Sequence, residues 1–384
     1  LMAGKVYAEF PIELLNRDLA LTSSIEDISD NGEGVVGQFA GRVNQFRFTL
    51  QDSMLQARLV RRYGVKNTGM GKNADQIIER SNTPGIFQSY KILAYTPDKK
   101  AVVVDMTELF LESSRLTNPF PSYAGNSLYG FVQRIHKFQS QRSELLGICG
   151  NDNSMSVRCN LGFNVDRLVL GSFMQAKDVP VSVTVNKILM LLPEDPMRPR
   201  LADSRIGVNA IIQTELPDVC QGIKPYYITK RWRIEPVDEI RYKQGEMVDV
   251  KKPIVFYIDT LMPDSWIKYV KAGAEAWNAA FEKIGLRNVV RTELFPKDSS
   301  FDAGDIHNSV IRYAPSWMYY PQYSMHTDPR TGEILNASVY LPANVASYFY
   351  TSRTEETMAV DPSVRKARLS EEQFGEMFKA KMMQ

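Results

Sequence analysis

The sequence predicts an α+β fold in which a β-rich N-terminal region precedes an α/β region. Two observations lead to this prediction. Up to about residue 250, short apolar runs alternate with turn residues, which is typical of strands and hairpins. From Lys252 onward, a continuous apolar strand is followed by an amphipathic helix and a further strand. We divide the 384 residues into an N-terminal β segment (1–60), a β-rich domain (61–251) and a C-terminal part (252–384).

The β-rich region contains two predicted hairpins and a short helix. One hairpin joins residues 46–50 to residues 54–60, and the other joins residues 90–95 to residues 101–105 across a Pro-Asp turn. Asp105 and Glu108 are suited to cap a short helix over residues 106–111. Further strands are predicted at residues 156–163, 167–174, 179–192 and 226–235.

The C-terminal part begins with a β–α–β pattern. An apolar strand over residues 253–258 leads to a helix that opens at Pro263-Asp264-Ser265 and ends at Gly285. A strand over residues 289–295 completes the right-handed unit.

Two strands and a helix follow this unit. The strands are predicted at residues 309–314 and 333–341, and in the second one Leu335, Ala337, Val339 and Leu341 form one apolar face. Ser370 and Gln373 form a capping box for a helix that continues to Gln384.

Composition and charge exclude several classes of protein. Lys and Arg number 46 against 44 Asp and Glu, so the net charge of +2 gives no support for a nucleic-acid or membrane-surface partner. No run of 18 apolar residues is present, so we expect no membrane span, and no signal peptide is visible at the N-terminus. Cys149, Cys159 and Cys220 fit no metal or redox spacing, and we expect free, mostly structural thiols.

Several candidate sites have simpler structural explanations. Gly32–Gly37 matches G-x-G-x-x-G, but a dinucleotide site needs a helix after it, and residues 38–50 have the pattern of a strand. We therefore predict a glycine-rich loop. A metal site at His307 and His326, with Asp305 and Asp328, lacks the closely spaced pair that zinc sites usually contain.

Other motifs give no catalytic group. No catalytic triad can be assembled, and His136 is predicted to lie in a helix or strand without acting as a general base. Asp328 more simply starts a Pro-Arg-Thr-Gly turn. The basic segment Met197–Arg200, followed by Asp203–Gly207, is either an anion clamp or a loop with internal Arg–Asp pairs, and we favour the loop.

Six stretches in order along the chain carry a resemblance to a known family. They are Ile25–Gly32, Met197–Gly207, Tyr227–Glu235, Lys252–Asp259, Trp277–Glu282 and Asp328–Leu335. Together they resemble the large zinc-dependent metalloproteases common in the Bacteroides group, whose N-terminal regions are domains of unknown function. The resemblance extends over nearly the whole chain, and the ordered set is more specific than any single stretch.

The resemblance implies that residues 252–384 form the N-terminal part of a metzincin-like α/β/α domain, with a mixed sheet, a long helix and an edge strand. In that family a later helix carries HExxHxxGxxH, and the helix at Ser370 takes the place where that helix begins. We expect this chain to end before the motif, so zinc belongs to the full-length protein. No catalytic residue or metal ligand is carried over to this chain.

The resemblance also implies a polypeptide substrate that pairs with an edge strand. By position that strand consists of Ile334, Leu335, Asn336, Ala337, Ser338, Val339, Tyr340 and Leu341. An ordinary edge strand in a domain core is the alternative interpretation of the same residues, and we weigh the two equally.

We expect a periplasmic or extracellular metallopeptidase fragment, inactive alone, whose second partner is the missing C-terminal catalytic part. The alternative is a non-enzymatic, cell-surface or periplasmic β-rich module that binds a polypeptide or glycan. A nucleotide-dependent enzyme would require a helix directly after Gly37.

Overall fold

The computed structural model divides the chain into two compact units. Unit 1 comprises residues 1–231 and 326–334, and unit 2 comprises residues 232–325 and 335–384. The structure describes residues 4–39, 43–60, 65–70, 72–112, 117–120, 132–151, 153–169, 173–218, 222–297, 301–316, 321–362 and 370–383. The predicted segment 1–60 is not separate, because strands from both sides of residue 60 share one sheet.

Unit 1 is built on a nine-stranded antiparallel sheet. Its strands are β1 (Tyr7–Pro11), β2 (Leu19–Ile28), β3 (Asn44–Gln51), β4 (Met54–Leu59), β6 (Gly85–Tyr95), β7 (Ala101–Asp105), β8 (Val132–Asn151), β9 (Ser154–Val169) and β10 (Phe173–Leu191). They follow the order β1-β7-β6-β4-β3-β2-β10-β9-β8. Both predicted hairpins are confirmed, and the first closes at Asp52, where φ is 52°.

Strands that the sequence analysis separated form one longer strand here. Residues 156–163 and 167–174 were predicted as two strands, but β9 continues to Val169. β8 was not predicted as a 20-residue strand. Its side chains are mostly polar or charged on both faces, so no apolar alternation reveals it.

A small sheet and two helices complete unit 1. The strands β5 (Val65–Asn67), β11 (Ala210–Leu216) and β12 (Lys224–Thr229) pair in the order β12-β11-β5. The helices are α1 (Lys72–Ser81) and α2 (Thr107–Leu111). The predicted short helix is present but begins at Thr107, so Met106 and not Asp105 is its N-cap residue; Asp105 Oδ1 still accepts from the Thr107 backbone N–H at 3.0 Å.

Apolar side chains on the sheet form two core clusters in unit 1. One cluster centres on Phe48, Phe110 and Leu55, and the other on Phe163, Leu161 and Val183. All six side chains are almost completely removed from water, which provides the main stabilisation of a sheet of this size.

Unit 2 is built on a mostly parallel five-stranded sheet. Its strands are β14 (Ile254–Ile258), β16 (Val290–Leu294), β17 (Ser309–Ala314), β18 (Gln322–Thr327) and β19 (Ile334–Pro342), in the order β16-β14-β17-β19-β18. The last two residues of β18 and the first of β19 belong to unit 1. The predicted β–α–β unit is confirmed, because β14 and β16 pair in parallel.

The remaining elements of unit 2 are helices and a two-stranded pair. The pair consists of β13 (Val248–Asp249) and β15 (Leu286–Arg287), and the helices are α3 (Glu239–Lys243), α4 (Asp264–Glu275), α5 (Asn278–Glu282), α6 (Val345–Thr357) and α7 (Glu371–Met383). The predicted helix between residues 264 and 285 is thus two segments. Gly285 ends it with φ of 82°, as expected of a C-terminal glycine.

The capping box at the start of α7 is confirmed. The Ser370 N–H donates to Gln373 Oε1 at 3.1 Å, and the Gln373 N–H donates to Ser370 Oγ at 3.2 Å. Helix α7 packs against α4, where a Cβ on Gly375 would lie 2.0 Å from Tyr269 Cζ. Glycine therefore permits a close approach between the two helices.

Candidate functional site

The predicted substrate strand does not lie at a sheet edge. Residues Ile334–Leu341 fall in β19, which lies between β17 and β18, so the predicted edge position is wrong. Both faces of β19 are buried, and the Asn336 and Ser338 side chains are fully enclosed. Asn336 donates from Nδ2 to the Asn308 carbonyl at 2.7 Å. The alternation that suggested one apolar face is therefore that of an interior strand with buried, bonded polar groups.

The two edge strands of this sheet are β16 and β18, and β18 was not predicted from the sequence. Its sequence, Gln322-Tyr323-Ser324-Met325-His326-Thr327, has no apolar run, because an edge strand buries less of its surface. Tyr323 is 62% exposed. Ser324 Oγ and the Tyr340 hydroxyl lie 2.8 Å apart, which ties β18 to β19 through their side chains. In the described part of the chain no strand pairs with the outer side of β18, so its backbone can accept an added strand.

The four metal candidates are not brought together. His307 Nδ1 lies 2.7 Å from Asp305 Oδ1 in a loop of unit 2, whereas His326 and Asp328 belong to unit 1. His326 is buried, and its Nε2 is hydrogen-bonded to Thr22 Oγ1 at 2.9 Å. Within the described ranges, no group of three His, Cys, Asp or Glu side chains is arranged to hold a metal ion.

Asp328 has the structural role that the sequence predicts. Its carboxylate accepts from the Arg330 N–H at 2.8 Å, and the Arg330 guanidinium binds the same carboxylate. Arg330 also contacts Asp18 and donates to the Pro193 carbonyl at 3.0 Å, all within unit 1. Gly332 closes the turn with φ of 74°. The turn is therefore fixed by buried charges and does not form an open site.

The glycine-rich motif is a loop that carries a buried carboxylate. Glu33 has a fully buried side chain, and its Oε1 accepts from Arg167 Nη2 at 2.8 Å. Arg134 Nε is 3.2 Å from the same oxygen, and His136 Nε2 is 2.8 Å from Oε2. Burial raises the pKa of Glu33, but the hydrogen bonds from His136 and Arg167 and the charge of Arg134 outweigh it and lower the pKa overall.

This cluster identifies the motif as structural. The next described element after Gly37 is β3, not a helix, so the predicted loop is confirmed and the dinucleotide arrangement is absent from the described residues. His136 lies on β8, as one of the two predicted alternatives for this residue, and its ring stacks on that of Phe120 with 3.8 Å between the ring centroids. Glu33 links the loop to β8 and β9 and has no open side toward solvent.

Sequence reasoning missed a buried lysine in unit 1. Lys187 on β10 donates from Nζ to the Glu112 carbonyl at 2.6 Å, and to the Leu109 carbonyl and Thr117 Oγ1 at 3.4 Å each. Burial lowers the pKa of Lys187 to about 8. The ammonium therefore caps the C-terminal end of α2 from inside the core. The only sequence signal is a lysine within the apolar run Val185–Leu192.

The remaining candidates are loop pairs and thiols. Arg205 pairs with Asp203 two residues away, which confirms the loop interpretation of the basic segment. Cys149 and Cys159 are free thiols as expected, and burial raises the pKa of Cys159 to about 11. Cys220 lies outside the described residues.

No helix among the described residues is both long and apolar enough to cross a membrane. A family model with the description "Domain of unknown function (DUF5117)" matches residues 37–237, which is more than half of the 384 residues. This match lies mainly in unit 1 and extends a few residues into unit 2. No curated protein and no solved structure was found to match the chain.

Proposed function

Since this chain belongs to the family of domains of unknown function DUF5117, we propose that it forms part of a zinc-dependent metallopeptidase. Such an enzyme hydrolyses peptide bonds with a water molecule that the metal activates. The proposal includes a periplasmic or extracellular location, where a polypeptide substrate would be met.

The order of elements in unit 2 carries the proposal. Strand β14, helix α4, strands β16, β17, β18 and β19, and helices α6 and α7 follow in this order along the chain, with the short α5 and β15 between α4 and β16. This order resembles metzincin-like domains, in which strands and a long helix precede the helix that carries HExxHxxGxxH. The reciprocal capping box of α7 supports a helix that starts at a defined position after the sheet.

The residues present do not fit a zinc ion. The sequence contains three histidines and no His-Glu-x-x-His motif. His136, His307 and His326 each have partners of their own, and no metal-binding group occurs among the described residues. We therefore assign no metal ligand, general base or catalytic step to this chain.

We assign the polypeptide substrate to the outer side of β18, over residues 322–325 of unit 2. An extended peptide adds to an open strand through backbone hydrogen bonds, and alternate side chains then select its residues. The exposed ring of Tyr323 gives this edge one apolar contact surface for a substrate side chain.

Reading the coding sequence past Gln384 tests the enzyme class. We expect a His-Glu-x-x-His motif within roughly twenty residues, since α7 would continue into it. Its absence would reject the peptidase proposal and favour a non-enzymatic module that binds a polypeptide or glycan.

Zinc content and peptidase activity of the purified chain give a second test. We expect no hydrolysis of an unfolded protein substrate and less than stoichiometric zinc after dialysis, measured by mass spectrometry of the metal. One tightly held zinc per chain would contradict the assignment of no ligands to these residues.

A photo-crosslinking experiment tests the edge. A photoreactive phenylalanine analogue at Tyr323 should capture an extended peptide, whereas the same analogue at the exposed Tyr95 of unit 1 should not. Backbone N-methylation of the peptide removes its donors and should abolish capture at Tyr323. Equal capture at both positions would refute the β18 assignment.

A further inference from the structure

Strand β8 is one of the two end strands of the nine-stranded sheet in unit 1. It runs for 20 residues, and its inner side pairs with β9 from Val132↔Val169 to Asn151↔Ser154. Over the ranges that the structure describes, no strand pairs with its outer side. A long open strand edge presents a row of backbone donors and acceptors that favours pairing with another chain.

A bulge divides β8 into two arms. The pairing with β9 shifts between Gln139 and Glu144, and Arg142 folds over β9 and donates to the Phe163 carbonyl at 3.1 Å. The arms are residues 132–139 and residues 144–151. Phe138 before the bulge and Leu145 after it pack against the same core cluster. The bulge thus inverts the alternation, so that Ile135 and Lys137 face outward in the first arm and Glu144 faces outward in the second. A second shift of the pairing, between Leu145 and Gly147, places Ile148 opposite the core residue Val157.

The outward face combines apolar and charged side chains in both arms. Ile135 is 39% exposed in the first arm, and Leu146, which lies at the second shift of the pairing, is 46% exposed in the second arm. Lys137 and Glu144 are the charged residues of this face next to the bulge. Two large exposed apolar side chains, flanked by two charges on one open strand, form a surface that a partner strand would cover.

We propose that β8 pairs with β8 of a second copy of this chain, antiparallel about a two-fold axis. Opposite residues must share a face, so an outward residue of one arm must oppose an outward residue of the other. One such register places Ile135 opposite Leu146 and Lys137 opposite Glu144. Each contact then occurs twice, as a two-fold interface requires.

Neighbouring registers lack this complementarity. A shift of two residues in one direction places Lys137 opposite Leu146, and a shift in the other direction places Ile135 opposite Glu144. Either shift separates the two opposite charges and places a charge against an apolar side chain. Charge and apolar matching therefore select one register.

The charge of Lys137 is shared within its own chain. Its Nζ contacts Asp166 and lies 3.5 Å from Asp178, and its side chain is 44% exposed. An ammonium has three donors, so one remains for Glu144 of the second copy. In the part of the chain that the structure describes, no ion pair involves Glu144, so its carboxylate can accept this contact.

Light scattering after size exclusion tests the dimer. From 1 to 100 µM we expect a transition from the 43.6 kDa chain to twice that mass. Glu144→Lys places like charges opposite each other twice and should weaken self-association by ~10-fold or more. The matched control Glu79→Lys reverses an exposed charge on α1 and should have no effect. A wild-type chain that stays monomeric at 100 µM would overturn the proposal.

Engineered cysteines test the register. In a Cys149→Ser background, Ile135→Cys with Leu146→Cys should give a disulfide-linked dimer on mild oxidation, because opposite Cβ atoms lie ~5 Å apart. Ile135→Cys with Ile148→Cys should give none. Linkage of the second pair in preference to the first would refute this register, even if a dimer forms.

Discussion

Replacing Lys187 by methionine should remove an alkaline pH dependence from the stability of unit 1. Burial lowers the pKa of Lys187 to about 8, against an ordinary value of 10.5. At ~1.4 kcal/mol for each unit of pKa, this difference between the two pKa values corresponds to ~3 kcal/mol of free energy. Below about pH 8 the amine is charged in both the folded and the unfolded chain, and the folded chain carries this full cost of burial.

The direction in which the unfolding free energy changes with pH follows from the number of protons that each state binds. Between about pH 8 and 10.5 the unfolded chain keeps the proton that the folded chain has released. The free energy of unfolding of the wild type therefore increases as the pH rises through this window. Lys187→Met has no such group. The difference in unfolding free energy, wild type minus variant, should therefore rise by ~3 kcal/mol across this window. Loss of the bonds to Leu109 and Glu112 adds an offset that does not depend on pH.

Urea unfolding at pH 7, 8, 9 and 10, followed by circular dichroism, measures this difference. Cys159 has a raised pKa and titrates in the opposite sense, but it is present in both chains and largely cancels in the subtraction. The control Lys271→Met removes an exposed lysine of α4 and should give a difference that is flat with pH. If the difference in unfolding free energy between the wild type and Lys187→Met stays flat or falls with pH, burial does not lower the pKa of this lysine.

Three further substitutions test packing and charge. Gly332→Ala forces a residue with φ of 74° to accept a Cβ at 2.5 Å from the Thr229 carbonyl oxygen, and should cost ~3 kcal/mol of unfolding free energy in a urea titration. Glu33→Gln leaves the partly buried guanidinium groups of Arg134 and Arg167 without their buried carboxylate and should cost ~3 kcal/mol at pH 7. Because the pKa of Glu33 is lowered, this loss should shrink as pH falls through the folded value, as measured by acid titration of both chains. Gly375→Ala should cost ~2 kcal/mol in the same urea assay, because the new Cβ overlaps the Tyr269 ring; unchanged stability would contradict the close contact of α4 and α7.

Regular apolar patterns and turn residues made much of the fold predictable. The hairpin closed by Asp52, the parallel pair β14 and β16, and the capping box at Ser370 each depend on local chemistry that a sequence displays. Strands β8 and β18 were missed for the opposite reason. Both are end strands in which polar residues interrupt any regular apolar alternation, so the partner strand, not a sequence period, defines them.

The site was less predictable because strand order is a property of the whole sheet. The sequence indicated that residues 334–341 form a strand, but only the intervening β18 moves that strand from the edge to the interior. Glu33 and Lys187 show the same limit, because their partners lie up to 134 residues away in the chain. Local periodicity contains no information about such pairings.

The short segment 326–334 limits how this protein can be divided. It belongs to unit 1, where Gln213 donates from Nε2 to the Pro329 carbonyl at 2.9 Å and Thr22 is bonded to His326. A fragment that stops at Arg231 would contain every strand of the nine-stranded sheet but would lack residues 326–334, which also belong to unit 1. Gene dissection at a single point cannot yield a whole unit 1, whereas supplying the nine-residue segment as a separate peptide, or by circular permutation, could restore it.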